Sequence, residues 1–241
     1  MKAARLHAYH QALSLDDVPR PLALPGEVIV KIAGSGFCHS DLHVIDGEIP
    51  LLPRMPLTLG HENAGWVAET GAGIKTVKAG DAVVVYGAWG CGRCDFCISG
   101  HEQLCGAPEW CGLSQWDGGY AEYLRVPHER YLVKLNKLDP VWAAPLADAA
   151  LTPYRAVKKA LPLLEPDHSV LVIGLGGLGQ YGIKLLRLLS GSPIIAVDTS
   201  VEKRRIAHDL GADKVIDGSA PDLHERIMAE TQGKGVIAAF D

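Results

Sequence analysis

Residues 169–179 read SVLVIGLGGLG, an aliphatic run that passes directly into a glycine-rich turn. Gly174, Gly176 and Gly179 fit the pattern GxGxxG, a weak signal alone but a specific one after a strand and before a helix. The first glycine permits a tight turn, the second lets the backbone approach a pyrophosphate, and the third packs helix against strand. The segment therefore predicts a dinucleotide site, with the phosphates held by free N–H groups at the helix N-terminus.

The candidate cofactor-binding residues of this turn are Gly174, Gly176, Gly177, Leu178 and Gly179. The next aliphatic run ends at Asp198, 19 residues after Gly179. An acid at this position can bind the ribose hydroxyls of the adenosine and repels a 2′-phosphate. We therefore predict NAD rather than NADP. The alternative is a structural glycine turn followed by an incidental acid.

Strand-like and helix-like segments alternate through the second part of the chain. The predicted strands cover residues 169–173, 194–197, 214–216 and 236–240, and the predicted helices cover about 178–189, 201–210 and 222–231. Such alternation implies a parallel sheet with right-handed crossovers. The first 130 or so residues are instead β-rich and irregular, and residues from about 140 to 160 look helical. We predict an α/β protein with two domains, residues 1–150 and residues 151–241.

The composition excludes several functional classes. The 241 residues carry 23 Lys and Arg against 28 Asp and Glu, a net charge of −5 without a long basic run. We therefore expect no nucleic-acid partner. No apolar stretch reaches the roughly 18 residues that span a bilayer, and the N-terminus lacks the apolar region of a secretory signal. We expect a cytoplasmic protein with a small-molecule substrate and no membrane partner.

Four cysteines lie close together, spaced Cys91-x2-Cys94-x2-Cys97-x7-Cys105. In a long chain of a reducing compartment, such cysteines more often bind metal than form disulfides. Four thiolates on one loop can close around a tetrahedral Zn2+, which predicts a structural zinc site. The alternatives are four unrelated buried cysteines or a zinc ribbon that binds nucleic acid. The net negative charge of the chain argues against the zinc ribbon.

A second group of candidate metal ligands lies nearer the N-terminus. Cys38 opens the segment CHSDLH, and His61 and Glu62 stand in the segment TLGHE. Both segments are polar and adjoin glycines. A catalytic zinc site needs three protein ligands and an open fourth position, and these two segments offer the start of such a set.

The order of these segments resembles that of zinc-dependent medium-chain alcohol dehydrogenases. CHSDLH, TLGHE, the four cysteines and GLGGLG follow one another as in that family, and PLADAALTPY at residues 145–154 is similar to its bacterial secondary-alcohol members. The resemblance covers the whole chain. It implies a GroES-like zinc-binding catalytic domain over residues 1–150 and a Rossmann NAD-binding domain, incomplete, over residues 151–241.

The resemblance also implies an activity and its cofactors. Family members oxidise primary or secondary alcohols reversibly to aldehydes or ketones by hydride transfer. The expected cofactors are one catalytic zinc, one structural zinc and NAD, and the parent enzyme is expected to be a homo-oligomer. The alternatives are a related polyol, threonine or formaldehyde dehydrogenase and a catalytically inactive fragment that binds zinc and cofactor.

The resemblance assigns the catalytic zinc to particular residues. Cys38 and His61 match two of its ligands, and Asp148 stands at the position of the third, where commoner members have a cysteine. Glu62 matches an alternative ligand, and Asp41 matches the carboxylate that orients the His61 ring. The other interpretation of Asp148 is an N-cap of the helix that follows it.

Further roles follow from the same resemblance. Ser40 matches the hydroxyl that takes the substrate proton, and His43 matches the histidine that relays it to solvent. His39 matches a contact to the cofactor pyrophosphate, Thr152 a contact on the nicotinamide side, and Lys203 a contact to the ribose.

The predicted Rossmann domain has fewer strands than a complete one. A complete dinucleotide-binding fold has six strands, and four are predicted between Ser169 and Asp241. We therefore expect either a fragment of a longer enzyme or a naturally shortened product.

Overall fold

The computed structural model of the chain describes residues 1–49 and 54–241. These residues form two compact units, Met1–Asp148 and Ala149–Asp241. The predicted boundary after residue 150 lies two residues beyond this division. Within the described ranges, no helix is long and apolar enough to cross a membrane.

The first unit is built mainly from antiparallel strands. Its described strands are β1 (Lys2–Leu6), β2 (Ser14–Asp17), β3 (Val28–Gly36), β4 (Leu57–Thr58), β5 (Glu62–Thr70), β6 (Ala82–Val85), β7 (Ala88–Trp89), β8 (Glu109–Trp110), β9 (Tyr123–Val126) and β10 (Leu132–Lys134). They pair in the orders β2-β1-β4, β10-β6-β5-β3-β9 and β7-β8. Inward-facing Val28 and Val30 of β3 pack with Leu124 and Val126 of β9 around the fully buried Trp89, so the largest cluster of this unit lies on one face of the five-stranded sheet.

Short helices connect these strands. They are α1 (His39–Ile45), α2 (Asp95–Ile98) and α3 (Pro140–Ala143), with 3-10 turns at Glu102–Leu104, Glu129–Tyr131 and Ala144–Ala147. The helical character expected from residue 140 to 160 is interrupted, because the chain leaves the helical conformation at Asp148 (φ −143°, ψ −64°). Ala143 and Ala144 pack against Ala64 and Val84 of the large sheet.

The second unit is a parallel sheet covered on both faces. Its strands are β11 (Val170–Ile173), β12 (Ile194–Asp198), β13 (Lys214–Asp217) and β14 (Ala238–Phe240), and its helices are α4 (Leu151–Ala160), α5 (Gly177–Leu189), α6 (Val201–Asp209) and α7 (Leu223–Glu230), with a 3-10 turn at Leu161–Leu163. The strand order is β13-β12-β11-β14, and each pair is parallel.

Alternate residues of the central strands enter two separate cores. Val170 and Val172 face a cluster that includes Ile183 of α5. Leu171 and Ile195 face the other side, where side chains of α7 join them. Strands buried on both faces read as continuous apolar runs, which is why the sequence marked them clearly. The predicted α/β fold class is confirmed.

Candidate active site

Strand pairing brings the two candidate ligand loops together. β3 and β5 are antiparallel neighbours, and their register pairs Gly36 with Glu62. Cys38 follows the end of β3, and His61 immediately precedes β5. The pairing therefore places these two residues side by side although 22 residues separate them along the chain.

Three side chains of the first unit converge on one point. Cys38, His61 and Asp148 each offer one donor atom, and these atoms all lie within 4.8 Å of one another. His61 Nε2 is 3.3 Å from Asp148 Oδ2. Two ligands of a tetrahedral zinc at about 2.1 Å from the ion lie roughly 3.4 Å apart, so this spacing suits zinc. Asp148 is not the cap of α4, whose N-cap is Ala150.

A buried carboxylate supports the imidazole from behind. Asp41 is fully buried, and its Oδ1 lies 3.4 Å from His61 Nδ1. Its Oδ2 accepts hydrogen bonds from the Cys38 N–H at 3.0 Å and from the Tyr120 hydroxyl at 2.8 Å. Nδ1 thus faces Asp41, and Nε2 faces the other two donors. Tyr120 is a contact that the sequence analysis missed, and the paired glycines before it are the signal that could have indicated a close approach.

The charges around His61 favour a cation at this point. Burial disfavours the imidazolium, but the neighbouring Asp148, Asp41 and Cys38 outweigh it and raise the pKa of His61 to about 11. Two carboxylates and a thiol around one imidazole therefore favour the binding of a cation at this site. Thiolate, imidazole and carboxylate are also the ligand types that zinc accepts, so the donor set fits a zinc ion.

The predicted proton-transfer residues lie on α1, beside this donor set. Ser40 Oγ is 3.7 Å from Cys38 Sγ. His43 is partly exposed, and its Nδ1 is 2.5 Å from Glu48 Oε2. The His39 ring meets the His43 ring edge-on, with centroids 4.8 Å apart.

Glu62, predicted as an alternative zinc ligand, lies outside the three-donor group. Glu62 is buried, and a Cβ added at Gly36 would come within 1.8 Å of its Oε2. Glu62 is thus packed closely against the β3 backbone and does not belong to the converging group of Cys38, His61 and Asp148. Thr152 lies on α4 of the second unit and is exposed.

The four spaced cysteines form a second group, the cysteine lobe (residues 91–105). Sulfur separations are 3.5 Å for Cys94–Cys97, 3.8 Å for Cys94–Cys105 and 4.0 Å for Cys91–Cys97. Zinc–sulfur bonds of about 2.3 Å put tetrahedral sulfurs roughly 3.8 Å apart, so the lobe fits zinc. The N–H groups of Arg93 and Cys94 lower the pKa of Cys91 to about 6, which favours the thiolate that a metal needs.

The glycine turn of the second unit suits a bound pyrophosphate. Gly174 has φ +79°, and a Cβ at Gly179 would lie 2.0 Å from the Gly174 carbonyl oxygen. A Cβ at Gly176 would meet no atom within 4 Å. The first glycine therefore makes the turn, the last allows helix and strand to touch, and the middle one leaves the backbone open to a ligand. The turn leads directly into α5, whose N-cap is Gly176.

Asp198 lies at the end of β12, beside this turn. Its Oδ1 accepts the Ser200 N–H and its Oδ2 accepts the Leu175 N–H, both at 2.8 Å. Burial opposes ionisation, but these N–H groups and Lys203 hold the pKa of Asp198 below its ordinary value. The Lys203 ammonium is 3.9 Å from Asp198 Oδ2. A fixed, ionised carboxylate therefore stands next to the turn.

Comparisons with known proteins identify the family. The family model "Alcohol dehydrogenase GroES-like domain" matches residues 24–137, and "Zinc-binding dehydrogenase" matches residues 177–241. An NAD-dependent alcohol dehydrogenase of Sulfurisphaera tokodaii is 42% identical over 100% of this chain and 71% of its own length. A D-arabinose 1-dehydrogenase (NADP(+)) of Saccharolobus solfataricus is 41% identical over 100% of this chain and 69% of its own length.

A solved structure shares the whole described fold. The alcohol dehydrogenase of the archaeon Aeropyrum pernix matches with a TM-score of 0.93 and 41% identity, covering 100% of this chain and 71% of its own. The chain therefore belongs to the zinc-binding alcohol dehydrogenase family with a GroES-like domain. The predicted family and enzyme class are confirmed.

Proposed function

We propose that Cys38, His61 and Asp148 hold the zinc ion on which this enzyme oxidises alcohols, with NAD bound at the glycine turn of the second unit. The chain is a zinc- and NAD-dependent alcohol dehydrogenase by family and by its relatives, and the predicted zinc and NAD cofactors are confirmed. The single observation that carries the assignment of residues is the convergence of three different donor types, with His61 Nε2 3.3 Å from Asp148 Oδ2.

Zinc and NAD have different roles from the side chains around them. Zinc, when bound, supplies a Lewis acid for the substrate oxygen, and NAD supplies a hydride acceptor. Asp41 faces Nδ1 of His61, so that Nε2 stays directed at Cys38 and Asp148. The Ser40 hydroxyl, next to Cys38, takes the substrate proton. His43 is partly exposed and paired with Glu48, and it passes the proton to solvent.

The two units take separate tasks in this proposal. Residues 1–150 form the catalytic domain and residues 151–241 the NAD-binding domain, with the cysteine lobe as the structural zinc site. His39, Thr152 and Lys203 are proposed cofactor contacts, and Glu62 is a proposed alternative zinc ligand. The relatives do not favour the alternative functions, which were a polyol, threonine or formaldehyde dehydrogenase and an inactive fragment.

Location and assembly complete the proposal. None of the six cysteines, all within the described ranges, forms a disulfide bond, as is usual for cytoplasmic proteins. We therefore keep a cytoplasmic location as part of the proposal. A homo-oligomeric enzyme follows from the family resemblance and is testable by light scattering of the purified protein.

Asp148→Asn tests the zinc assignment. An amide is a poor zinc ligand, so turnover falls by at least about 100-fold and one of two zinc ions is held more weakly. The matched control is Asp139→Asn, because Asp139 caps α3 by accepting the Val141 N–H at 3.0 Å and Asn caps equally well. NADH formation with a panel of alcohols and elemental analysis measure both effects. If Asp148→Asn and Asp139→Asn have the same turnover and the same zinc content, the ligand assignment is wrong.

Asp198→Gly tests the cofactor assignment. Removing the carboxylate frees Lys203 and removes repulsion, so the preference for NAD over NADP falls by about tenfold. Glu202→Gln is the control, since it removes a negative charge from α6, where Glu202 pairs with Arg205. Fluorescence titration with both cofactors gives the ratio. If the unmodified protein binds both cofactors equally, Asp198 does not select NAD.

A further inference from the structure

Tyr120 lies between the two loops that supply Cys38 and His61. Its ring stacks on Phe37, the residue before Cys38, with centroids 6.4 Å apart and an interplanar angle of 8°. The same ring lies against Gly60, the residue before His61, where an added Cβ would be 2.5 Å from a ring carbon. Gly60 also has φ +95°, so the loop needs glycine for both reasons. One aromatic ring therefore packs behind both candidate ligands.

The Tyr120 hydroxyl reaches the carboxylate that faces His61. It lies 2.8 Å from Asp41 Oδ2 and 3.1 Å from the Gly36 carbonyl oxygen. A hydroxyl has one proton to donate, and the shorter contact is to Asp41. Burial raises the pKa of Tyr120, so the hydroxyl keeps that proton. The other donor to Asp41 Oδ2 is the Cys38 N–H at 3.0 Å.

These contacts form a chain from Tyr120 to the donor group. Asp41 is fully buried, and a buried carboxylate depends on its hydrogen-bond donors for both its charge and its orientation. Two donors on Oδ2 leave Oδ1 directed at His61 Nδ1, 3.4 Å away. If one donor is lost, the carboxylate can rotate about its side-chain bonds, and the imidazole loses its fixed partner.

We propose that Tyr120 is a positioning residue of the zinc site, whose hydroxyl fixes the His61 imidazole through Asp41. This inference rests on the proposed function, since it assumes that Cys38, His61 and Asp148 hold zinc. Loss of a group that directly orients a metal-binding histidine typically lowers metal affinity by about 10- to 100-fold. Tyr120 acts one contact further away, so its effect falls at or below the lower end of that range.

The test uses the complete chain with Tyr120→Phe. Phenylalanine keeps the ring on Phe37 and Gly60 and removes only the hydroxyl. We expect the affinity for Zn2+ at this site, measured by chelator competition, to fall by about threefold to tenfold. The affinity of the cysteine lobe stays unchanged. After exchange with Co2+, the visible d–d absorption of the site shifts, because the imidazole orientation changes.

Two controls separate positioning from general stability. Tyr123→Phe removes a hydroxyl from nearby β9, where Arg20 covers the ring of Tyr123, and leaves Zn2+ affinity and the Co2+ spectrum as in the unmodified protein. In an Asp41→Asn background, Tyr120→Phe adds little further loss, because both changes break the same chain of contacts. A thermal scan of each variant reports its folding.

The outcomes distinguish the two proposals. If the unmodified chain binds a single zinc ion, the proposed function fails, and the role of Tyr120 fails with it. If it binds two ions but Tyr120→Phe leaves both affinities and the Co2+ spectrum unchanged, only the role of Tyr120 is overturned. Equal weakening of both zinc sites also overturns it, because that pattern reports a loss of folding. Selective weakening, non-additive with Asp41→Asn, supports it.

Discussion

The cysteine lobe and the Cys38–His61–Asp148 site gather their donors in opposite ways. The lobe draws four identical donors from one short loop, Cys91 to Cys105. The other site draws three different donors from three segments, and His61 and Asp148 are 87 residues apart. Four thiolates complete a tetrahedral zinc, whereas three donors leave one position for a substrate. In the proposed assignment, the cysteine lobe holds a zinc ion that stabilises a loop, and the other site presents a zinc ion to the substrate.

Cys38→Ser is the strongest test of this contrast. We expect turnover to fall by at least about a thousandfold, because a metal ion in this role stabilises the charge that develops in the transition state by several kcal/mol. The thermal midpoint changes little, since the fold does not depend on the three-donor site. Steady-state NADH formation and calorimetry measure the two effects. A large drop in the midpoint would erase the distinction between the two sites.

Cys97→Ser examines the opposite side of the contrast. Structural zinc contributes folding free energy directly, so loss of one thiolate costs about 3 kcal/mol and lowers the thermal midpoint by about 10 °C. Cys111→Ala is a control for the loss of a buried thiol outside both groups, with an expected cost of about 1 kcal/mol. If the two variants unfold at the same temperature, the lobe does not stabilise the protein through a metal.

Chelation gives the smallest expected difference. A chelator should remove the zinc of the three-donor site roughly tenfold faster than the zinc of the lobe, because the chelator can attach at the open position before any protein ligand leaves. Two phases in a colorimetric zinc-release assay are expected, and Asp148→Asn should accelerate only the faster one. A single phase from the unmodified protein contradicts the contrast.

Local patterns predicted the lobe and the glycine turn from sequence. Both are defined by residues that stand near one another along the chain, so spacing alone carries their geometry. The strands from Val170 to Ile173 and from Ile194 to Asp198 were equally clear, because burial on both faces leaves no polar residue within the run except at its end. The alternation of strand and helix then fixed the parallel sheet.

Contacts between distant segments were harder to predict. Asp148 entered the candidate site through family resemblance, because nothing in its immediate surroundings indicates a partner at His61. The Ala-rich sequence around it suggested one continuous helix, whereas α3 ends at Ala143, a 3-10 turn follows to Ala147, and Asp148 itself is not helical. Tyr120 was missed because its hydrogen bond to Asp41 spans 79 residues and belongs to no sequence motif.

The position of Asp148 at the end of the first unit has a consequence for synthesis on the ribosome. Chains emerge from the N-terminus at about 5–20 residues per second, and domains fold as units. All four cysteines of the lobe emerge before Asp148, so the lobe can take up zinc while the end of the unit, with Asp148, is still inside the ribosome. The three-donor site stays incomplete until the last residue of the unit has appeared. If the proposed assignments hold, a half-made chain can acquire its structural zinc, but it cannot yet acquire its catalytic zinc.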